Sequence, residues 1–174
     1  MRIKIFVLLC LTAIMQFTGV TPLKASHYYY KQLSLKDGVT SAVRCILTDK
    51  QGFVWIGTKA GISRYDGHEL KKYVYSPNNP HSIPNNLIHQ IAEDEMSNIW
   101  ILTDKGIARY QRQSDDFFLP TDEKGNPIIA YSTCLTKDGV LFGSKDKVYF
   151  YSYRDSSLRL LQKLNKGNNF NISL

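Results

Sequence analysis

Three groups of neighbouring carboxylates come nearest to the residue types and spacing that acid–base chemistry needs. They are Asp115-Asp116, Asp122-Glu123 and Glu93-Asp94-Glu95. An acid and a base can exchange protons with a substrate when both lie within hydrogen-bond reach of it. Each group falls in a segment predicted as a turn between strands, however, where acidic residues commonly bind the backbone. We therefore expect no catalytic role for these carboxylates.

Metal binding and nucleophilic catalysis find little support in the remaining residue types. The histidines share no spacing typical of a ligand set. The sequence also contains no Gly-x-Ser-x-Gly, His-Glu-x-x-His or Gly-x-Gly-x-x-Gly motif. We expect no metal, no cofactor and no enzyme activity in this chain. The four histidines are His27, His68, His81 and His89.

Two cysteines, Cys45 and Cys134, lie outside the apolar segment at the amino terminus. Each is predicted in the first strand of a repeat, and the two are nearly two repeats apart. An oxidising compartment would permit a disulfide between them, but buried thiols are common in such strands. We expect two packed, unbridged cysteines.

A repeat organises the chain, because the segment from Ser41 to Asp66 recurs, degraded but in register, 45 positions further on. A third and weaker copy follows about 41 residues later and has no tryptophan. Periods of roughly 40 to 50 residues made of short strands are typical of propeller blades. The repeat motif comprises Asp49, Gly52, Trp55, Gly57, Thr58, Gly61, Arg64 and Tyr65 in the first copy, Asp94, Trp100, Thr103, Gly106, Arg109 and Tyr110 in the second, and Gly143 in the third.

Each copy is predicted to be a small antiparallel sheet. In the first copy, apolar and β-branched runs at about 42–48, 53–58, 62–65 and 70–75 alternate with turn residues such as Gly52 and Gly61. Four short strands with apolar side chains on both faces cannot bury them alone, so each sheet has to stack on a like neighbour. Trp55 and Trp100 are then predicted to be wedges packed between adjacent sheets.

The predicted fold is all-β, a partial β-propeller of about three four-stranded antiparallel blades plus an N-terminal closing strand. The blades are expected at about 39–75, 86–119 and 128–164, within an incomplete propeller at 26–174 that includes the start of a fourth blade at 168–174. Proline-rich and turn-rich connectors are expected at 76–86 and 120–127. The tyrosine-rich segment 28–33 is the predicted closing strand, and a tyrosine-lined sugar site is the alternative.

Residues 1–25 are predicted to be a secretory signal peptide. Arg2 and Lys4 precede an apolar run at 5–17, and a plausible cleavage site lies before Ser26. The run of about 13 residues is shorter than the roughly 20 residues that a membrane-spanning helix requires. We expect an exported protein, on the periplasmic side of a bacterial inner membrane.

The first copy of the repeat resembles the two-component regulator propeller repeat, which occurs in the extracytoplasmic sensors of hybrid two-component system histidine kinases. The resemblance is carried by Asp49-x-x-Gly52-x-x-Trp55-Ile56-Gly57-Thr58-x-x-Gly61-Ile62-x-Arg64-Tyr65-Asp66-Gly67. The second copy departs from it, with Ser97 in place of Gly52 and Leu102 in place of Gly57. A third copy without tryptophan departs further.

This resemblance implies an amino-terminal fragment of a ligand-sensing propeller. Its partners would be an oligosaccharide or other small ligand, the remaining blades, and downstream signalling domains that include a kinase not present in this chain. Membrane attachment would come only through the missing C-terminal part, and a homodimer of the full-length protein is left open. Ligand contacts are expected from loops at one end of the blades, for which Lys59-Ala60 and Asp104-Lys105 are nameable positions.

Two other classes of function are left open: an exported propeller enzyme such as a lyase, and a secreted protein-interaction scaffold. A nucleic-acid partner is not expected. The formal charge of +7, from 22 Lys and Arg against 15 Asp and Glu, falls to about +4 without Arg2, Lys4 and Lys24. The remaining charges are scattered, as on an ordinary solvated surface.

Overall fold

The computed structural model describes residues 41–163, which form three four-stranded antiparallel sheets with the strands of each in chain order. The predicted all-β fold with four-stranded antiparallel blades is confirmed. The first sheet contains β1 (Val43–Thr48), β2 (Val54–Thr58), β3 (Gly61–Tyr65) and β4 (Leu70–Tyr73); the second β5 (Ile88–Glu93), β6 (Ile99–Thr103), β7 (Gly106–Gln111) and β8 (Asp116–Phe118); the third β9 (Ser132–Leu135), β10 (Gly139–Gly143), β11 (Lys147–Ser152) and β12 (Leu158–Lys163).

Three predicted segments lie outside the described residues: the signal peptide at 1–25, the closing strand at 28–33 and the start of a fourth blade at 168–174. Within residues 41–163, no helix has the length and apolar character needed to cross a bilayer.

The turns that join β1 to β2 and β5 to β6 are built alike. In each, an aspartate Oδ1 accepts N–H bonds from the residues two and four positions on: 3.0 and 2.9 Å at Asp49, 2.9 and 2.8 Å at Asp94. The fourth residue of the turn has a positive φ, 89° at Gly52 and 61° at Ser97. The second turn thus keeps the geometry of the first although a serine replaces the glycine.

The sheets stack through two apolar layers, which we call the first seam, between the first and second sheets, and the second seam, between the second and third. Strand β6 serves both, because successive side chains of a strand point to opposite faces: Ile99 and Ile101 face the first seam, and Trp100 and Leu102 face the second. The first seam contains Trp55, Ile62, Tyr73, Ile83, Ile88, Ile91, Ile99, Ile101, Ala108, Tyr110 and Phe117; the second contains Trp100, Leu102, Ile107, Ile128, Ala130, Val140, Phe142, Tyr149 and Tyr151.

The two tryptophans occupy the positions predicted for them. Trp55 and Trp100 are both fully buried. Trp55 packs edge-on against Tyr110 of the second sheet, with ring centroids 4.8 Å apart, and Trp100 packs in the same way against Tyr151 of the third, also at 4.8 Å. The prediction that they are wedges between adjacent sheets is confirmed.

The first strand of the third sheet is shorter than the predicted run at 128–135, because β9 begins at Ser132. The preceding residues pair elsewhere: the carbonyl of Ile128 accepts a 2.9 Å bond from the N–H of Ile107, at the start of β7 in the second sheet. Ile128 therefore belongs to a connector that crosses the second seam.

Cys45 and Cys134 are free thiols, but the prediction that both are packed is wrong for Cys134. Cys45 is half-buried in the first seam, and burial raises the pKa of its thiol. Cys134 is exposed. It pairs with Leu141 and so shares the face of the third sheet opposite to Val140 and Phe142, a face that no sheet of the described residues covers.

Candidate functional site

The aspartate and tryptophan of the repeat motif form one buried unit in each of the first two sheets. The indole N–H of Trp55 donates a 3.0 Å bond to Oδ2 of Asp49, and Trp100 donates a 2.8 Å bond to Asp94. Burial acts to raise the pKa of Asp49, but hydrogen bonds from Trp55, the backbone of Phe53 and Arg112 outweigh it, and the pKa is lowered. These carboxylates are acceptors that hold a turn against a seam.

The threonine and glycine of the motif close the hairpins β2–β3 and β6–β7. The hydroxyl of Thr58 donates to the carbonyl of Gly61 at 2.9 Å, and that of Thr103 donates to the carbonyl of Gly106 at 2.7 Å. In the third sheet Gly143 ends β10 at the corresponding turn. The threonines are therefore structural, with their hydroxyls occupied by the backbone.

The arginines of the motif bridge the seams. Arg64 donates to the hydroxyl of Tyr110 in the second sheet and lies over the rings of Phe53 and Trp55, at 4.8 and 5.9 Å. Arg109 donates a 2.6 Å bond to the hydroxyl of Tyr151 in the third sheet. The remaining motif residues also serve the strands: Tyr65 donates a 2.5 Å bond to the carbonyl of Gly67, and Gly57 lies in β2 against Cys45.

Asp115 is the centre of a polar cluster across the first seam. It is in the turn after β7 and receives hydrogen bonds from the hydroxyls of Tyr73, at 2.6 Å, and Tyr110, at 2.5 Å. Arg64, at 3.2 Å, and Lys71 form ion pairs with it. Burial acts to raise the pKa of Asp115, but bonds from Lys71, Tyr110 and Tyr73 prevail and lower it to about 2. The carboxylate is thus kept ionised by partners from both sheets.

Asp116 and Asp122, two of the other carboxylates considered for acid–base chemistry, are also occupied. Asp116 accepts bonds from Gln111 at 2.8 Å and Ser114 at 2.5 Å. Asp122 accepts backbone N–H bonds within its own turn, at 2.9 and 2.8 Å. Asp115 and Asp116 therefore have different partners and do not form an acid–base pair facing a cleft.

Two basic residues cross the first seam in opposite directions. Arg112, after β7, places Nη1 and Nη2 each 3.1 Å from Oδ2 of Asp49 in the first sheet. Lys50, after β1, donates through Nζ to the carbonyl of Asp94 at 3.1 Å and through its N–H to Oε2 of Glu93 at 2.8 Å. The other oxygen of Glu93 makes no hydrogen bond within residues 41–163 but lies 3.6 Å from Arg112.

One end of the sheets carries the hairpin turns and the connectors between sheets, which the seams bury only in part, at Ile83, Ile128 and Ala130. It contains the turns after β2 and β6, at 59–60 and 104–105, and the connectors 74–87 and 119–131. We call it the connector end. The N–H of Gly61 donates to the carbonyl of Asn86 at 2.8 Å, as Ile107 does to Ile128 at 2.9 Å, so hairpin turns and connectors adjoin. That ligand contacts come from loops at this end stays a prediction.

A β-bulge re-aims one side chain of the first strand of both the first and second sheets at the connector end. Val43 pairs with Thr58 while Cys45 pairs with the adjacent Gly57, which leaves Arg44 extruded. The same shift between Ile88 and Gln90 extrudes His89. Bulges turn a side chain out of the ladder and are frequent beside functional sites.

The bulged histidine belongs to a cluster with residues of two loops. His89 Nε2 lies 2.5 Å from Oδ1 of Asp104 in the turn after β6. The imidazole also meets the ring of Tyr131 edge to face, with centroids 5.8 Å apart. Tyr131 is 54% exposed, and the Asp104 side chain is 47% exposed. Of the loop positions named from the sequence, Asp104 belongs to this cluster, whereas Lys59-Ala60 lies in the corresponding turn of the first sheet.

Metal binding has no geometric support in this part of the chain. Among residues 41–163, no three His, Cys, Asp or Glu side chains converge as a ligand set would.

A cavity of about 480 Å³ opens at the end of the sheets opposite the connector end, beside Gln51, Met96 and Arg112. Of the two arginines that line it, Arg112 is already bound to Asp49 and Arg109 donates to Tyr151.

The fold and the seams define a repeat protein of the propeller class. The repeat itself is identified by a match to the family described as two component regulator propeller, over residues 37–60. The predicted resemblance is therefore confirmed, and the matched segment contains the Asp49–Trp55 unit described above.

Two relatives of known description are similar to parts of this chain. Over 59 residues the chain is 37% identical to histidine kinase P4 of Formosa agariphila, covering 33% of this chain and 4% of that protein. The extracellular domain described as that of a hybrid two component system from B. thetaiotaomicron is 25% identical, with a TM-score of 0.54, over 74% of this chain and 16% of that one.

A second crystal structure from B. thetaiotaomicron, described as the extracellular domain of a one component system, has a TM-score of 0.62 at 19% identity. It covers 83% of this chain and 22% of its own, and at that identity it supports the fold alone. The chain thus spans less than a quarter of the length of each of these relatives.

Proposed function

We propose that this chain is part of an exported, ligand-sensing propeller of a hybrid two-component sensor that recognises an oligosaccharide and signals to a histidine kinase. The similarity to extracellular domains of such systems supports the sensing role. The positively charged and apolar segment 1–25 supports export. Recognition would bias a signalling equilibrium without chemistry on the ligand.

The observation that carries this proposal is the contrast between the two environments of the chain. The residues of the repeat motif make their hydrogen bonds and packing contacts within the seams and turns, as Asp49 and Trp55 illustrate. The connector end instead presents the exposed ring of Tyr131, at 54%, beside the polar side chains of His89 and Asp104. Aromatic rings with polar neighbours suit the apolar faces and hydroxyl edges of sugars.

Titration calorimetry of the full chain against a panel of oligosaccharides tests the proposal, with chromatography of the sugar before and after incubation. Saturable heat with an unchanged sugar supports sensing. Slow conversion of the sugar would favour the exported lyase, and the absence of heat with every member of the panel would contradict oligosaccharide sensing. Amino-terminal sequencing of the mature protein from the periplasmic fraction tests export, with Ser26 expected as the first residue.

A further inference from the structure

We propose that Tyr131, His89 and Asp104 form a binding site for one neutral pyranose unit at the connector end. The inference rests on the proposed function, since it names the place and the chemical class of the saccharide. The three residues come from the connector before β9, the bulge in β5 and the turn after β6, so the sequence separates them and the fold brings them together.

Tyr131 supplies the platform of the site. Its ring is 54% exposed, although a large aromatic side chain favours burial. The N–H of its backbone donates to the carbonyl of Gly143 at 2.9 Å, and the edge contact with His89 restrains the ring. A held and half-exposed ring can stack on the apolar face of a pyranose with little loss of conformational entropy.

His89 and Asp104 supply the polar side of the site. The imidazole contacts both the Asp104 carboxylate and the Tyr131 ring, and the His89 side chain is only 20% exposed. Oδ1 of Asp104 is occupied by His89, whereas Oδ2 makes no hydrogen bond within residues 41–163. A carboxylate oxygen that is half-exposed and free in this way accepts sugar hydroxyls in strong, charge-assisted bonds.

The same carboxylate sets the class of ligand. Two anionic groups brought to hydrogen-bonding distance repel each other, so the carboxylate of a uronate or the sulfate of a sulfated sugar would be disfavoured in contact with Asp104. A neutral pyranose has hydroxyls that can donate to Asp104 and a CH face for Tyr131. The site therefore favours neutral over acidic oligosaccharides.

The test is calorimetry on the full chain with cellotetraose, maltotetraose, mannotetraose and xylotetraose as neutral probes, and tetragalacturonate as the acidic one. For the neutral probe that binds, Tyr131→Ala and Asp104→Asn should each weaken affinity by at least about tenfold. Tyr131→Phe should bind as the parent does, because it keeps the ring. Tyr75→Ala is the matched control: it removes a tyrosine that is 44% exposed and does not belong to the proposed site, and affinity should not change.

The outcomes separate the site from the function. Binding of tetragalacturonate in preference to every neutral probe, or neutral binding that Tyr131→Ala and Asp104→Asn leave intact, would overturn this site while sensing of a saccharide stands. Absence of binding to all five probes would overturn both. Near-ultraviolet circular dichroism of each variant excludes unfolding as the cause of any loss.

Discussion

The indole nitrogen of Trp55 lies 3.0 Å from Oδ2 of Asp49 in the first seam, where both side chains are fully buried. Trp100 and Asp94 repeat the relationship at 2.8 Å in the next sheet. Asp49 holds the turn between β1 and β2, and Trp55 packs in the first seam, so their hydrogen bond connects the turn to the seam. We therefore expect that a change which disrupts the turn also disrupts the seam packing.

Removal of the Trp55 ring should destabilise the protein severely. Trp55→Ala is expected to lower the free energy of unfolding by roughly 3 to 5 kcal/mol, as a large-to-small change in a core. Trp55→Phe keeps a ring but removes the indole donor to the buried carboxylate of Asp49, to which Arg112 still donates, and should cost about 1 to 3 kcal/mol. Urea denaturation measures both. An unchanged unfolding midpoint for Trp55→Ala together with lost saccharide binding would contradict the structural role.

Asp115 should make stability depend on acid pH. Its pKa is about 2 in the fold and about 3.9 in an unfolded chain. A lowered pKa gives stability that is complete above about pH 4 and lost as the pH falls from there toward about 2. Asp115→Asn should lose about 1 to 3 kcal/mol at pH 7, and the gap from the parent should close in that window. Urea midpoints at a series of pH values test this, and a gap independent of pH would contradict it.

Exchange of the turn residues of the first two sheets should change stability in opposite directions. Ser97 has a φ of 61°, a conformation that costs a non-glycine residue about 1 kcal/mol or more. Ser97→Gly is therefore expected to raise the melting temperature. Gly52→Ser should lower it, because Gly52 has a φ of 89°, which a serine adopts only at a cost. A Cβ at Gly52 would meet no atom within 4 Å, so the backbone conformation is the only penalty. Scanning calorimetry of both variants checks the sign, and equal shifts in one direction would refute the account.

Gly57 should tolerate no larger side chain. A Cβ there would lie 2.5 Å from Sγ of Cys45 and 2.7 Å from Cγ2 of Ile88. Gly57→Ala is expected to cost about 1 to 3 kcal/mol through overpacking. Cys45→Ala in the same chain should recover part of that cost, and a double-mutant cycle from urea melts measures the coupling. Strictly additive effects would show that the two positions do not compete for space.

Local chemistry made much of this architecture predictable. The turn formers and alternating apolar residues indicated the strands, and the spacing of Trp55 and Trp100 indicated the stacking. The cross-seam partners were not predictable, because they depend on which side chains lie opposite each other. The first copy has Gly67 at the position that corresponds to Arg112, so the repeat pattern does not predict the hydrogen bond from Arg112 to Asp49.

The candidate site was still less accessible from the sequence. Asp104 was named as a loop position, but His89 is placed there by a bulge that shifts the register between Ile88 and Gln90. Tyr131 was expected within a strand, and its position outside β9 follows from the pairing of Ile128 with the second sheet. Neither the bulge at His89 nor the hydrogen bond between Ile107 and Ile128 has a residue pattern by which it could be predicted from the sequence.

The opposite crossings of Lys50 and Arg112 have a consequence for a chain cut within 74–87. The amino-terminal piece would contain the buried Asp49 without Arg112, and the carboxy-terminal piece would contain Arg112 without Asp49. Each piece alone would also expose its half of the first seam. Two such halves, expressed separately, should therefore recognise one another and reassemble, which would make this junction a place to build a split reporter.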